Sequence, residues 1–272
     1  MITTYINYIK DVRGLSPRTC EEYDKELRAF AAWARPLGLR WSTISKQDID
    51  AHTAMLHARG LEPSTIRRRI TAIRCFYRWL RNEGVLSENP AQYAQSPKMA
   101  HKLPKAANIE DIDAYLHTPA KSTEDADMHC AVAIMLETGI RLSELLNMKT
   151  EDFMSNGHAI RVTGKGSKER LVYYGQRTAT ALNAYMRNAS GYLFGKYTDI
   201  GFRYAMYRTA GERIKRLHPH QLRHTFAMTM LNNGMDIKTL AQLLGHASTT
   251  ATEIYARATQ PRVESMYNKF KF

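Results

Sequence analysis

The chain reads as a mostly α-helical protein with one small antiparallel β-sheet, divided into two domains. Three observations predict this. Apolar residues recur at three- and four-residue intervals through most of the first hundred positions. Only AIRVTGKGSKERLVYYG, residues 159–175, carries a strong strand signal, and its central glycine-rich loop makes it a hairpin. Between these regions, from Asn89-Pro90 through Pro97 to Pro104, periodicity fails, and QSPKMAHKLPKA is polar, basic and proline-punctuated like a linker. A chain of 272 residues that is 44% hydrophobic has enough apolar side chains for two modest cores.

Taken in order, Ser16-Pro17 reads as an N-cap followed by a first-turn proline. Tyr23, Leu27, Phe30 and Ala34 continue at helical spacing until Pro36 and Gly38 stop the pattern. SKQD, residues 45–48, is a capping box in sequence and opens a short helix through Leu56 that ends at Gly60. PSTIRRRITAIRCFYRWLRNEG then places Ile66, Ile70, Ile73, Tyr77 and Leu80 on one stripe, flanked one residue on by Arg67, Arg74, Arg78 and Arg81. After the linker, helices are expected at 109–116 and from about Asp127 to Thr138, the second closed by Gly139. In the hairpin, Ile160 and Val162 face Leu171 and Tyr173 across a turn that carries Lys165, and further helices follow.

The formal charge of +13 calls for a polyanionic partner, nucleic acid before membrane. Split at residue 107 the halves carry net +8 and +5, so both are suited to the same polyanion. Six arginines between 67 and 81, with hydroxyls at Ser64, Thr65 and Thr71, mark a phosphate- or groove-binding helix, against the plainer reading of a solvated basic face. Cys20, Cys75 and Cys130 are odd in number and never in CxxC spacing, which suggests neither a disulfide framework nor a thiolate zinc site. With no signal-like leader and no long apolar run, the expectation is a cytoplasmic protein with no membrane partner.

Four motifs carry chemistry. TGIRLSELL, residues 138–146, sets Arg141 between a helix-ending Gly139 and Ser143, a candidate N-cap, where bidentate contact with a phosphate is easy; an ion pair with Glu144 is the alternative. GKGSKER puts Lys165 on a hairpin tip without P-loop spacing. HPHQLRHTFA, residues 218–227, brings His220, Arg223 and His224 to one face of a helix opened by Pro219, crowding cationic groups that call for an anion. LLGHASTTATEIYAR offers His246 and, nine residues later, Tyr255.

Arg141, Lys165, His220, Arg223, His246 and Tyr255, in this order and embedded in TGIRLSEL, GKGSKER, HPHQLRHTF and LGHASTTATEIY, resemble the tyrosine recombinase (phage integrase) family, in its simple Xer-like form. The resemblance covers the entire chain. It implies a helical core DNA-binding, SAM-like domain at 1–95, a linker at 96–107, a catalytic domain at 108–260 and a tail helix at 261–272. It further implies site-specific cleavage and rejoining of DNA. Tyr255 attacks phosphorus to form a 3′-phosphotyrosyl bond, Arg141, Arg223 and His246 hold the nonbridging oxygens, His220 is the base and Lys165 the acid, with Glu144 orienting the base. No metal or cofactor is implied. DNA contacts are expected from Arg67, Arg68, Arg74, Arg78 and Lys168. The implied partners are double-stranded DNA target sites and further protomers, a homotetramer or heterotetramer linked through the tail. The interval from Lys165 to His220 is short for the family, so the helices between them are expected to be trimmed. A type IB topoisomerase, a non-catalytic DNA-binding protein and a zinc hydrolase using His218, His220 and His246 are the rival readings.

Overall fold

Side-chain caps mark the helix starts that the sequence announces. The Ser16 hydroxyl accepts from the Thr19 amide and opens α2 (Pro17–Ala34), which follows the short α1 (Ile2–Asn7). Ser45 and Asp48 form the expected capping box at the start of α3 (Lys46–Ala58), the Ser45 amide donating to Asp48 Oδ2 at 2.8 Å. Gly38 ends the α2 segment in the left-handed region at φ 67°, where a side chain would be strained. The computed structural model describes residues 1–97, 106–154, 158–164, 168–186, 191–211, 214, 217–246, 252 and 255. Lys165, most of the expected linker and the expected tail helix at 261–272 lie outside the described residues.

The chain divides into two compact units, Met1–His101 and Lys102–Phe272. In the first, α4 (Pro63–Asn82) turns its predicted stripe inward, and Ile66, Ile70, Ile73, Tyr77 and Leu80 are all buried. Each such side chain is worth about 1.5–3 kcal/mol of transfer free energy before ordering costs, which is what holds α4 against α2 and α3. Tyr5, Phe30, Trp41 and Phe76 pack around it edge-on or tilted. Arg67, Arg68, Arg78 and Arg81 remain on the exposed side of α4.

In the second unit, α5 (Ile109–Leu116) is followed by α6 (Thr123–Thr138), which is apolar on nearly every face and forms the core helix against α8 (Gln176–Tyr185), α9 (Asp199–Ala210) and α10 (Pro219–Asn232). α6 starts four residues earlier than its apolar run suggests. Ser122 caps it, and Glu124 and Asp125 in the first turn suit the positive end of the helix dipole. The sheet is antiparallel with order β1 (Phe153–Met154), β2 (Ala159–Thr163), β3 (Glu169–Tyr173). Its register pairs Ile160 with Val172 and Val162 with Arg170. The inward residues of β3 are therefore Arg170 and Val172, and the expected Leu171 and Tyr173 are exposed. A buried ion pair made by Arg170 sets this parity, and apolarity alone points the wrong way. The mostly helical class with a small antiparallel sheet is otherwise as the sequence predicts. Among the described residues no helix is long and apolar enough to cross a membrane.

Candidate active site

The predicted motifs meet where α7 (Leu142–Leu146), β3, α10 and α11 (Ile237–Leu244) come together. Gly139, at φ 63°, closes α6, and a Cβ there would lie 2.3 Å from the Phe226 ring. The reversal it permits makes Arg141 the N-cap of α7, so Ser143, the expected cap, sits inside the helix. Arg141 donates from Nη1 to Glu144 Oε1 at 2.9 Å and from Nη2 to the Gly245 carbonyl at 3.0 Å. Its side chain remains one-third exposed.

Glu144 is buried and serves the arginines, not a histidine as expected. It accepts the Arg141 amide at 2.8 Å and both Arg170 Nη atoms at 2.9 Å. Burial alone raises its carboxyl. The hydrogen bond from Arg170, the Arg141 amide and the two guanidinium charges outweigh burial and hold it below the usual glutamate value. Arg170 also donates from Nε to the Leu243 carbonyl at 2.8 Å, which ties β3 to the end of α11. Gly245 leaves room for it: a Cβ at that position would sit 2.9 Å from Arg170 Nη1.

Arg223 is buried at 4% exposure and gives its protons to the carbonyls of Gly139 and Leu244, both at 2.7 Å. Burial and the nearby Arg141 charge push its pKa down to about 10, still far above neutrality. Arg223 Nη2 lies 2.8 Å from His246 Nε2, and His246 Nδ1 lies 2.8 Å from Thr252 Oγ1. Because the guanidinium can only donate, Nε2 accepts and Nδ1 carries the proton toward the threonine. Burial, then the charges of Arg223, Arg141 and Arg170, hold the His246 ring down to about 4, so it rests neutral.

Tyr255 is 3% exposed and packs with Phe226, Ala227, Leu231, Leu240 and Leu244. Burial raises its phenol, while the charges of Arg223 and Arg141 pull the other way, which puts the hydroxyl within the field of both arginines. Its hydroxyl is 2.8 Å from Nδ1 of His224. His220, expected as its base, stands exposed in the first turn of α10. No hydrogen bond joins it to Tyr255 among the described residues. His218 caps α10 by accepting the Gln221 amide at 3.1 Å.

Of the predicted site residues, the structure thus brings together Arg141, Arg223, His246 and Tyr255, with His220 on the same helix as Arg223. Arg170, Thr252 and the placement of His224 lie beyond what the sequence announces. No signal in the sequence marks Arg170, because the apolar Leu171 and Tyr173 claim the inward parity of β3. Among the expected DNA contacts, Arg67 and Arg78 are exposed, Lys168 is exposed beside the hairpin tip, and Arg68 pairs with buried Glu26 at 2.9 Å. Arg74 has a different task. It donates to the carbonyls of Ala91 and Ala94 at 3.2 and 2.7 Å and pins the segment that leaves α4. Among the described residues no group of three or more His, Cys, Asp or Glu is arranged to hold a metal ion.

Residues 105–262 match the Phage integrase family, and residues 2–84 match the phage integrase N-terminal SAM-like domain. The tyrosine recombinase XerC of Listeria welshimeri is 30% identical over 285 residues, covering 97% of this chain and 95% of its own. XerD of Listeria monocytogenes is 30% identical over 293 residues, covering 99% and 98%. Among solved structures, the XerH site-specific recombinase bound to palindromic difH substrate, a post-cleavage complex, superposes with a TM-score of 0.76 at 19% identity, covering 100% of this chain and 85% of that one. At that identity the likeness is one of fold.

Proposed function

The chain belongs to the phage integrase family of tyrosine recombinases, enzymes that break and rejoin DNA strands, and on that footing we propose that Tyr255 is its nucleophile and Arg141, Arg223 and His246 its phosphate clamp. The observation that carries the reading is the charge balance of the cluster into which Tyr255 is folded. Of three guanidiniums, those of Arg141 and Arg170 pair with one carboxylate, Glu144, and that of Arg223 lies in its field without bonding to it. Three positive charges less one negative leaves two uncompensated. A phosphodiester carries one negative charge and the pentavalent transition state two, so this excess stabilises the transition state more than the ground state.

Attack of the Tyr255 oxygen forms a 3′-phosphotyrosyl bond and expels the 5′-oxygen, which Lys165 protonates. The phosphotyrosyl bond retains the energy of the broken phosphodiester, so a second 5′-hydroxyl reverses the step without ATP. His220, three residues before Arg223 on α10, contributes an N–H to the same phosphate. Once DNA is bound, His246 carries its proton on Nε2 and donates it to the phosphate, while Nδ1 accepts from the Thr252 hydroxyl. Arg67, Arg68, Arg78 and Lys168 neutralise backbone phosphates of the double-stranded target. Four protomers on two sites, linked through the tail at 261–272, exchange strands in the cytoplasm by way of a Holliday junction.

Tyr255→Phe tests the assignment. The variant keeps the packing and loses the hydroxyl, so it should bind target DNA with wild-type affinity and form no SDS-resistant protein–DNA adduct. A surviving adduct moves the nucleophile elsewhere.

A further inference from the structure

A buried phenol needs a hydrogen-bond partner, and the one this structure supplies is on α10, not at the residue the motif singles out. His224 Nδ1 lies 2.8 Å from the Tyr255 oxygen, with the ring centroids 5.4 Å apart and the planes inclined at 57°. A phenol can donate or accept, and Nδ1 is the one partner that the described residues offer its proton, so the phenol donates, Nδ1 accepts and the imidazole proton is on Nε2. The groups acting on His224 are burial first, then His220, His218 and Arg223, and all of them disfavour the imidazolium. The ring is therefore neutral, with its lone pair on the proton that must leave Tyr255.

Resting on the reading of Tyr255 as nucleophile, we propose that His224 is the catalytic residue that takes the phenolic proton as the tyrosine attacks. The Tyr255 oxygen bonds to phosphorus and its proton passes to His224 Nδ1. The bond from phosphorus to the 5′-oxygen breaks and that oxygen is protonated by Lys165. On rejoining, the His224 imidazolium returns its proton to the departing tyrosine oxygen. The surrounding charges make this transfer conditional on substrate. Without DNA, an imidazolium at His224 faces Arg223 and two histidines, with no anion among the described residues to offset them. With a phosphate on Arg141 and Arg223, the negative charge that develops on phosphorus stabilises that imidazolium. The buried tyrosine thus stays protonated until the phosphate arrives.

The test is the rate of covalent adduct formation in a single turnover, measured against pH on a nicked duplex carrying the chain's own cleavage site, mapped first by covalent capture on genomic DNA. His224→Asn offers an oxygen to receive the hydroxyl and cannot carry the proton away. It should bind the duplex as the wild type does, react about 10²- to 10⁴-fold more slowly, and lose the fall in rate that protonation of His224 causes at low pH. A ring-fluorinated tyrosine at position 255, whose phenol ionises more readily, should recover much of the loss. The assignment to His224 fails if His224→Asn reacts within threefold of wild type, if its defect is the same with the fluorinated ring, or if His224→Ala reacts faster than wild type, which would make the hydrogen bond a restraint. Tyr255→Phe keeps the two readings apart, since an adduct in that variant defeats the nucleophile assignment, whereas its absence together with a normal His224→Asn defeats only the role of His224.

Discussion

Replacing Glu144 with Gln keeps the size of the side chain and removes the carboxylate that Arg141 and Arg170 share. The carboxylate is 3% exposed and accepts hydrogen bonds from the Arg141 amide and from guanidinium nitrogens of Arg141 and Arg170, all at 2.8–2.9 Å. In the variant, an NH2 group replaces one oxygen and meets N–H donors where an acceptor stood. Arg170, whose side chain is 13% exposed, is left as an uncompensated cation near Arg141 and Arg223. Breaking a buried ion pair by removing one partner costs about 3–5 kcal/mol. Because Arg141 is one-third open to water, the expected loss lies at the lower end, about 3 kcal/mol. Urea unfolding at neutral pH measures it as a lowered midpoint at unchanged slope. Arg170→Met in the Glu144→Gln background removes the stranded cation, so the double variant should regain about 1 kcal/mol or more over Glu144→Gln alone. The acid limb supplies a second reading. A carboxyl whose folded pKa is depressed stabilises above its unfolded pKa of about 4.3, and that contribution is lost as pH falls through the folded value. Wild-type stability should accordingly fall more steeply at acid pH than that of Glu144→Gln. A loss below about 1 kcal/mol, or strict additivity in the double variant, would refute the shared-carboxylate account.

Two further outcomes concern the N-terminal unit. Replacing Arg67 and Arg78 with Ala should flatten the dependence of log affinity on log salt by about 0.9 for each phosphate no longer neutralised, whereas Arg74→Ala, which frees the Ala91 and Ala94 carbonyls, should lower the melting temperature and leave that slope unchanged. His52 is buried between Phe30 and Trp33 with no partner for Nδ1 among the described residues, and burial, with the charges of Arg69 and Arg59, pushes it down to about 4. Its folded pKa lies below the unfolded value of about 6.5, so the unfolded chain binds the extra proton and stability drops as pH falls from about 6.5 to about 4, by about 3 kcal/mol in all. His52→Leu should be nearly as stable as wild type at pH 5, and an unchanged wild-type melting temperature between pH 7.5 and 5 would contradict this.

What the sequence determined by itself is whatever local physics decides. Caps at Ser16 and Ser45, the stripe from Ile66 to Leu80 and the stop at Gly139 depend on residues within a turn or two of each other, and helical spacing reports them directly. Arg141, Arg223, His246 and Tyr255 were singled out for a different reason: the motifs that hold them, weak one by one, resemble a known family when taken in order, and the structure brings the four side chains together. The tertiary structure decided how these groups are wired. Arg170 is ordinary in GKGSKER until the register of β2 and β3 turns it inward onto Glu144, 26 residues away along the chain. Leu171 and Tyr173 read as buried because apolarity is the usual guide to strand parity, and here a buried ion pair overrode it. The same limit applies to the nucleophile. His220 and His224 lie one turn apart on the same face, and nothing in their spacing says which meets Tyr255. That choice depends on where residue 255 returns to α10 across 31 positions of chain. Hydrogen bonds between residues distant in sequence leave no periodic trace, because the free energy that selects them is collected only after the helices have packed.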